Sequence, residues 1–160
     1  MMNLHIICVG KLKETFYTQA AAEYQKRLSP FCKLQLTELP EEKRPQDPSQ
    51  AQIDAALKKE AAVIRSKLPP NAAVVALCIE GKLHSSEALA GLLRTWENNP
   101  AKHLVFLIGS SYGLDQSLKA EAWVRLSMSP MTFPHHLARV MLLEQVYRAF
   151  QINNGSKYHK

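Results

Sequence analysis

The sequence has few cysteines, and their positions exclude two common classes of small protein. Cys8, Cys32 and Cys78 are odd in number and far apart, with no CxxC pair and no cysteine–histidine spacing suited to zinc. We therefore expect neither a disulfide framework nor a metal site. Cys8 and Cys78 lie inside apolar runs, which is typical of small buried hydrophobic residues in a reducing compartment.

Long hydrophobic runs are also missing. No apolar stretch approaches the roughly 20 residues that a helix needs to span a bilayer. The opening segment MMNLHIICVGKLK carries its positive charges after the apolar run, whereas a signal peptide carries them before it. We therefore expect a cytoplasmic protein that does not reside in a membrane.

What is present is typical of a globular protein with a basic surface. The 160 residues are 46% hydrophobic and 21% charged, which favours one domain over residues 1–160. Residues 122–160 contain five basic residues and one acidic residue, Glu144, so they carry four of the six net positive charges. This bias predicts a polyanionic partner, with nucleic acid ahead of an acidic membrane surface. A basic surface that serves only solubility is the alternative.

Apolar runs alternate with helical patterns along the whole chain. Strands are predicted at residues 4–9, 34–39, 72–79, 103–108 and 123–128. Helices are predicted at 16–28 and 53–68, after a cap at Ser85 or Ser86 as far as Asn98, near 115, and from 134 onward. Alternating strands and helices predict an α/β fold with a mostly parallel sheet flanked by helices. In such sheets ligands bind beyond the carboxyl ends of the strands. The turns after Ile79, Ile108 and Met128 are expected at that edge.

Two further segments carry specific expectations. Residues 40–50, PEEKRPQDPSQ, contain three prolines and are the best candidate for a mobile loop. An ordinary surface connection is favoured, and a functional lid is the alternative. Leu137, Val140, Met141, Glu144 and Tyr147 follow Pro134 at helical spacing and mark a long final helix. Arg139 and Arg148 lie about 180° apart on that helix, so one is expected to bind phosphate while the other pairs with Glu144.

The loop Gly-Ser-Ser-Tyr-Gly at residues 109–113 fits the GxSxG elbow of serine hydrolases. Ser111 would then be the nucleophile, with His135 or His136 as its base. The third member of the triad is the weak point, because the acids between them, Asp115 and Glu121, fall in the helix beside the elbow. A hydrolase therefore remains an alternative.

Several segments together resemble one enzyme family. The block MTFPHHLARVMLLEQVYRAFQI with the terminal YHK, the FLIG turn, and the opening ICVGKLKETF followed by AEYQKRL are similar to the RlmH family of SPOUT-class ribosomal RNA methyltransferases. The likeness extends over nearly the whole chain, from Leu4 to Lys160, and its C-terminal block is highly specific.

The resemblance implies a SPOUT-type α/β knot, in which the C-terminal part of the chain threads a loop to form a trefoil. It also implies S-adenosylmethionine as cofactor, bound in a bent shape by the knot loops. The matching cofactor-binding positions are Leu77, Gly109, Met128, Ser129, Pro130, Met131, Thr132 and Phe133. The family commonly has a second glycine directly after Gly109, whereas this chain has Ser110, whose side chain we expect to point outward.

The reaction implied is methylation of N3 of a pseudouridine in 23S ribosomal RNA within the assembled ribosome. The positions that match its catalytic residues are His135, Arg148, Tyr158 and His159, and either histidine has a suitable pKa for the N3 proton. The family's tail completes the site across a homodimer interface, for which Leu142, Leu143, Val146 and Phe150 are candidate contacts. A ribosome-binding knot dimer without activity is the second alternative.

Overall fold

A computed structural model describes the whole chain, Met1–Lys160. Five strands alternate with five helices: β1 (Met2–Val9), α1 (Thr15–Leu28), β2 (Cys32–Leu39), α2 (Gln50–Lys67), β3 (Ala72–Leu83), α3 (Ser86–Glu97), β4 (His103–Ile108), α4 (Gln116–Glu121), β5 (Val124–Ser127) and α5 (His135–Asn153). The alternation predicted from the sequence is therefore confirmed.

The strands form one five-stranded sheet in the order β2-β1-β4-β3-β5, and every pairing is parallel. Because all five strands point the same way, the segments that follow them emerge at one edge of the sheet. We call this the carboxyl edge. β2 lies at one border of the sheet, in agreement with its alternating, half-exposed pattern.

Successive residues of the inner strands face opposite layers, as the two-residue period of a strand requires. In β4, Phe106 packs into the larger apolar core with α1, α3 and α5, whereas Val105 and Leu107 pack into the smaller core with α2 and α4. β1 and β4 are therefore apolar almost throughout because both of their faces are covered.

α5 packs against the sheet with the side that the sequence analysis assigned to a second chain. The residues that it buries are Arg139, Leu142, Leu143, Val146, Ala149 and Phe150, and the predicted series from Leu137 to Tyr147 is only half-buried. The expectation that Leu142, Leu143, Val146 and Phe150 contact a second chain is wrong, because these side chains fill the chain's own core. α5 is apolar on both sides, so its periodicity does not identify the inner one.

Two other sequence expectations need correction. β3 does not end at Ile79 but continues to Leu83 after an irregular segment. The loop before α2 is attached to the fold, because Arg44 pairs with the buried carboxylate of Glu60 at 3.3 Å. No helix of the chain is both long enough and apolar enough to cross a bilayer.

Candidate functional site

The carboxyl edge contains a cavity of about 600 Å³, which we call the edge cavity. Three segments enclose it: the irregular part of β3 after Leu77, the turn from Gly109 to Leu114, and the segment between β5 and α5. Its volume lies within the range of about 300–1,000 Å³ that is usual for small-molecule sites. Half of the 22 residues that line it are hydrophobic.

The structure brings most of the sequence-predicted cofactor residues together around the edge cavity. Seven of the eight line it: Leu77, Gly109, Met128, Ser129, Met131, Thr132 and Phe133. Pro130 is exposed on the outside of the same turn and does not line it. Within the turn, Met131 N–H donates a hydrogen bond to Ser129 Oγ at 2.9 Å.

Gly109 is required by the shape of its own turn. Gly113 N–H donates to Ser110 O at 2.8 Å, which folds the turn back on itself. A β-carbon on Gly109 would fall inside the van der Waals radius of the Gly113 carbonyl group. Gly113 has φ +87°, a left-handed conformation that other residues rarely adopt. The turn therefore closes only with glycine at both positions.

Ser110 does not point outward as the sequence suggested. Its side chain is buried, with 4% of the residue exposed, and it lies among the residues that line the edge cavity. Its Oγ accepts a hydrogen bond from Tyr112 N–H at 3.4 Å. The hydroxyl therefore stabilises the turn in a way that a glycine does not.

His135 is the predicted catalytic residue that the structure places at the edge cavity. It begins α5 and packs beside His136, with the two ring centroids 4.2 Å apart. Burial lowers the pKa of His135 below its ordinary value, and the neighbouring His136 lowers it further. Neither ring nitrogen is hydrogen-bonded within the chain. His135 is therefore a neutral imidazole near pH 7, free to accept a proton.

The start of α5 is fixed by a buried arginine. Arg139 is 1% exposed, and its guanidinium donates to Glu38 Oε2 at 2.5 Å and to Gly10 O at 2.9 Å. Glu38 also accepts from Leu12 N–H at 2.9 Å. Burial would raise the pKa of Glu38, but the bonds from Leu12 and Arg139 outweigh it and lower that pKa. Arg139 thus attaches α5 to the ends of β1 and β2 and does not bind phosphate.

The other three predicted catalytic residues, Arg148, Tyr158 and His159, form a separate group with Glu144 and Glu87, which we call the tail cluster. Arg148 pairs with Glu144 at 2.7 Å, so it is the arginine of α5 that makes the expected pair with this glutamate. Its guanidinium also lies over the ring of Tyr158, 4.7 Å from the ring centroid. The Tyr158 hydroxyl donates to Glu144 Oε1 at 3.0 Å. Burial raises the pKa of Tyr158, and this bond raises it further. The tail is therefore ordered by contacts within the chain.

Both ring nitrogens of His159 are occupied. Nδ1 lies 3.1 Å from Arg148 Nη1, and Nε2 lies 2.6 Å from Glu87 Oε1. Because a guanidinium only donates, Nδ1 must be the acceptor and Nε2 must carry the proton. In this arrangement His159 has no free lone pair with which to accept a proton from a substrate.

The tail cluster is far from the edge cavity within one chain. None of Arg148, Tyr158 and His159 lines the cavity. Arg148 is 13 residues beyond His135 on α5, which corresponds to about 20 Å along the helix axis at 1.5 Å per residue. The chain therefore does not bring its own tail cluster to its own His135.

The structure does not form the catalytic triad that a serine hydrolase needs. Ser111 is exposed, and its hydroxyl has no histidine partner. The carboxylate of Asp115 instead caps α4, where it accepts from Ser117 N–H at 3.2 Å. A nucleophile elbow also holds its serine in a strained turn, whereas Asn71 is the non-glycine residue with positive φ in this chain.

Two charged residues of the edge cavity were missed from the sequence. Glu80 and Lys119 line it and form an ion pair at 2.6 Å. The sequence predicts a turn directly after Ile79, in the segment that contains Glu80 and Gly81. A glycine in a strand can mark a bulge, so Gly81 is the signal that could have indicated the irregularity. No pattern in the sequence pointed to Lys119.

A comparison with protein families decides the classification. A family described as "Predicted SPOUT methyltransferase" matches residues 2–159. The chain belongs to this SPOUT methyltransferase family. Members of this family use S-adenosylmethionine as methyl donor, so this SPOUT chain is an S-adenosylmethionine-dependent methyltransferase by family. The match includes both the edge cavity and the tail cluster.

The residues of the SPOUT site fit this cofactor. An adenine needs apolar walls and backbone groups at its edge, and Leu77, Met128 and Phe133 border a cavity otherwise formed by turns of main chain. The methionine end is zwitterionic, and Glu80 and Lys119 provide one charge of each sign. These residues would hold the cofactor beside His135.

Proposed function

We propose that this protein methylates N3 of a pseudouridine in 23S ribosomal RNA within the assembled ribosome, with S-adenosylmethionine as methyl donor. The single observation that carries the proposal is the edge cavity, where seven positions that match the RlmH-type cofactor site surround one space beside His135. The segments MTFPHHLARVMLLEQVYRAFQI and YHK supply the likeness to the pseudouridine-specific enzymes.

For this reaction the protein must align the base with the methyl group and remove one proton. When bound, S-adenosylmethionine supplies a methyl group that its sulfonium already activates. The N3 atom of the base must be held in line with that group while its proton departs. We assign the proton to His135, because it is neutral, has free ring nitrogens and lies at the cavity. His159 is occupied by Arg148 and Glu87 and is assigned to RNA contact.

A homodimer would bring the missing tail cluster to the cavity. In this proposal, Arg148, Tyr158 and His159 of one copy meet the edge cavity of its partner, since one chain holds them about 20 Å from His135. Arg148 can bind phosphate and Tyr158 can stack on an unpaired base, a common way to hold RNA. The basic excess of residues 122–160 has the correct sign for this partner.

The outward side of α5 is the proposed dimer surface. Leu137, Val140, Met141 and Tyr147 are apolar yet only half-buried in the single chain. They replace the four core residues that the sequence had suggested. Val140→Asp should therefore produce monomers in sedimentation at micromolar concentration. Ile53→Asp, on a half-buried side of α2 that faces away from α5, is the matched control and should leave the association state unchanged.

We also include the trefoil knot in the proposal, by likeness to the family. The threaded segment would be the part of the chain that carries β5, the turn at residues 128–134 and α5. Threading would hold the three cavity segments together without a ligand. Unfolding in denaturant should then be followed by refolding that is much slower than expected for a parallel sheet of this length.

Two measurements test the function. Calorimetry should detect binding of S-adenosylmethionine to the purified protein, and an absence of binding would contradict the assignment of the cavity. Primer extension on ribosomes from a strain that lacks this gene should then stop at the methylated base only after treatment with protein and cofactor. Cofactor binding without a methyl mark would favour the inactive ribosome-binding dimer.

A further inference from the structure

The irregular part of β3 places a carboxylate at the rim of the edge cavity. Leu77 and Lys82 both pair with Leu126 of β5, so residues 78–81 form an extra loop between two registers. A β-carbon on Gly81 would lie 2.8 Å from the Arg125 backbone and 2.9 Å from that of Leu126. Only glycine lets the loop lie this close to β5. Glu80, next to it, is thereby held in the cavity wall.

Lys119 meets this carboxylate from α4. Its Nζ donates to Glu80 Oε1 at 2.6 Å, and only 12% of its side chain is exposed. Lysine usually keeps its ammonium group in water, so burial to this degree is uncommon. An ammonium has three N–H donors, and Glu80 takes one of them as the only acceptor within the chain. Two donors therefore remain for another partner.

The pair stands out among the groups that line the edge cavity. Glu80 supplies the carboxylate and Lys119 the ammonium among the residues that line it, and His135 is neutral near pH 7. The hydrogen bond from Lys119 lowers the pKa of Glu80, so that its carboxylate is ionised. The hydroxyls of Ser110 and Ser129 are engaged with the backbone of their own turns. A charged ligand end entering the cavity would therefore meet Glu80 and Lys119.

A second ion pair on the same helix shows what a surface pair looks like. Arg65 of α2 bonds Glu121 of α4 at 3.2 Å, with 39% and 65% of the side chains exposed. Exposed pairs of this kind contribute little to stability, and neither Arg65 nor Glu121 lines the edge cavity. Lys119 belongs to the same short helix but is far more buried and lies in the cavity wall, while its partner Glu80 is 50% exposed.

We propose that Lys119 and Glu80 bind the amino-acid end of the methyl donor, with Lys119 donating to its α-carboxylate and Glu80 accepting from its α-ammonium. The inference rests on the proposed function and identifies the groups that select the cofactor. The pair satisfies both charges of the zwitterion, which would otherwise be costly to remove from water. The site should therefore distinguish S-adenosylhomocysteine from 5′-methylthioadenosine, which has the same nucleoside but no amino-acid end.

Calorimetry with these two nucleosides tests the proposal without a turnover assay. Lys119→Met keeps an unbranched stem but loses the charge, and Glu80→Gln keeps the shape of the carboxylate. Each should weaken S-adenosylhomocysteine binding about tenfold or more, the usual effect of losing a hydrogen bond to a charged group. Binding of 5′-methylthioadenosine should stay within about twofold of the wild type. Lys119→Arg should retain part of the discrimination.

Arg65→Met is the matched control, since it removes the other ion pair of α4, and it should change neither affinity. Equal weakening of both nucleosides by Lys119→Met would show that the pair only supports the loop, and this would overturn the inference. Unchanged affinities in both variants would overturn it as well. A wild-type protein that binds neither nucleoside would instead contradict the proposed function itself, so the two failures are distinguishable.

Discussion

The edge cavity and the tail cluster lie at opposite ends of α5 and are built in different ways. The cavity is made largely of main-chain turns, with glycines where the chain passes close to itself and few charges. The tail cluster is made of charged and aromatic side chains that bind one another through Glu144 and Glu87. All the residues that line the edge cavity belong to one chain. In the tail cluster, the carboxylates of Glu144 and Glu87 already bind Arg148 and His159.

This difference suggests a division of labour. A cavity formed by backbone needs no partner to hold a small cofactor. Arg148 and His159 are bound by the carboxylates of Glu144 and Glu87, so RNA phosphate or a second copy is expected to compete with these carboxylates. Cofactor binding is therefore expected to depend on the edge cavity alone, and methyl transfer on both regions.

The largest expected effect is the loss of the cavity through Gly109→Val. The added side chain would collide with the Gly113 carbonyl group and open the turn that borders the cavity. Calorimetry should then detect no S-adenosylmethionine binding. Gly91→Val is the control, because a β-carbon at Gly91 meets only the end of the Arg94 side chain at 3.8 Å. Undiminished binding by Gly109→Val would show that the turn does not form the site.

Removal of the tail is expected to separate the two regions. A chain that ends at Asn154 lacks Tyr158 and His159 but retains every residue that lines the edge cavity. It should bind S-adenosylmethionine with nearly unchanged affinity and fail to methylate ribosomes. Calorimetry and primer extension on the same preparation measure the two properties. A parallel loss of cofactor binding would mean that the tail has been assigned to the wrong region.

Arg139 is predicted to stabilise the fold by attaching the start of α5 to the ends of β1 and β2. Arg139→Met should reduce the free energy of unfolding by about 3 kcal/mol, the lower end for a broken buried pair, because Glu38 is 31% exposed. Denaturation in urea measures the change. Arg27→Met removes an exposed pair with Glu23 and should have little effect. Equal stability of the two variants would contradict the structural role of Arg139.

The smallest expected effect is a shift in the pH dependence. Burial and the neighbouring His136 lower the pKa of His135. Its ring is therefore half protonated only at a pH below the ordinary pKa of about 6.5. Activity should fall only at pH values below that. His136→Gln removes one cause, so the pKa of His135 should rise and the acidic limb of kcat/KM should move to higher pH. An unmoved or oppositely moved limb would exclude His135 as the proton acceptor.

The same comparison explains how much could be predicted from the sequence. The position of the cavity could be predicted because continuous apolar runs such as His103–Ile108 identify strands buried on both faces. Parallel strands end at one edge of the sheet, and ligands bind there. The individual cofactor positions came from the family resemblance, as did the roles of Tyr158 and His159. Spacing alone gives no reason for a terminal segment to be ordered.

Two features escaped prediction for physical reasons. Leu142 and Leu143 were assigned to a dimer interface although they are buried, because Leu137 and Val140 on the outer side of α5 are as apolar as these two inner residues. Only the three-dimensional contacts decide between them. The Glu80–Lys119 pair depends on a change of register between β3 and β5, and side-chain periodicity does not encode where such a change occurs.

Complementation between two inactive variants tests the central claim most directly. The Gly109→Val chain keeps its tail but lacks the cavity, and the chain that ends at Asn154 keeps the cavity but lacks the tail. If the two regions meet across a symmetric dimer, mixing equal amounts should restore methylation to about a quarter of the wild-type rate, since half the dimers are mixed and each has one intact site. A mixture that forms mixed dimers and stays inactive would contradict the account.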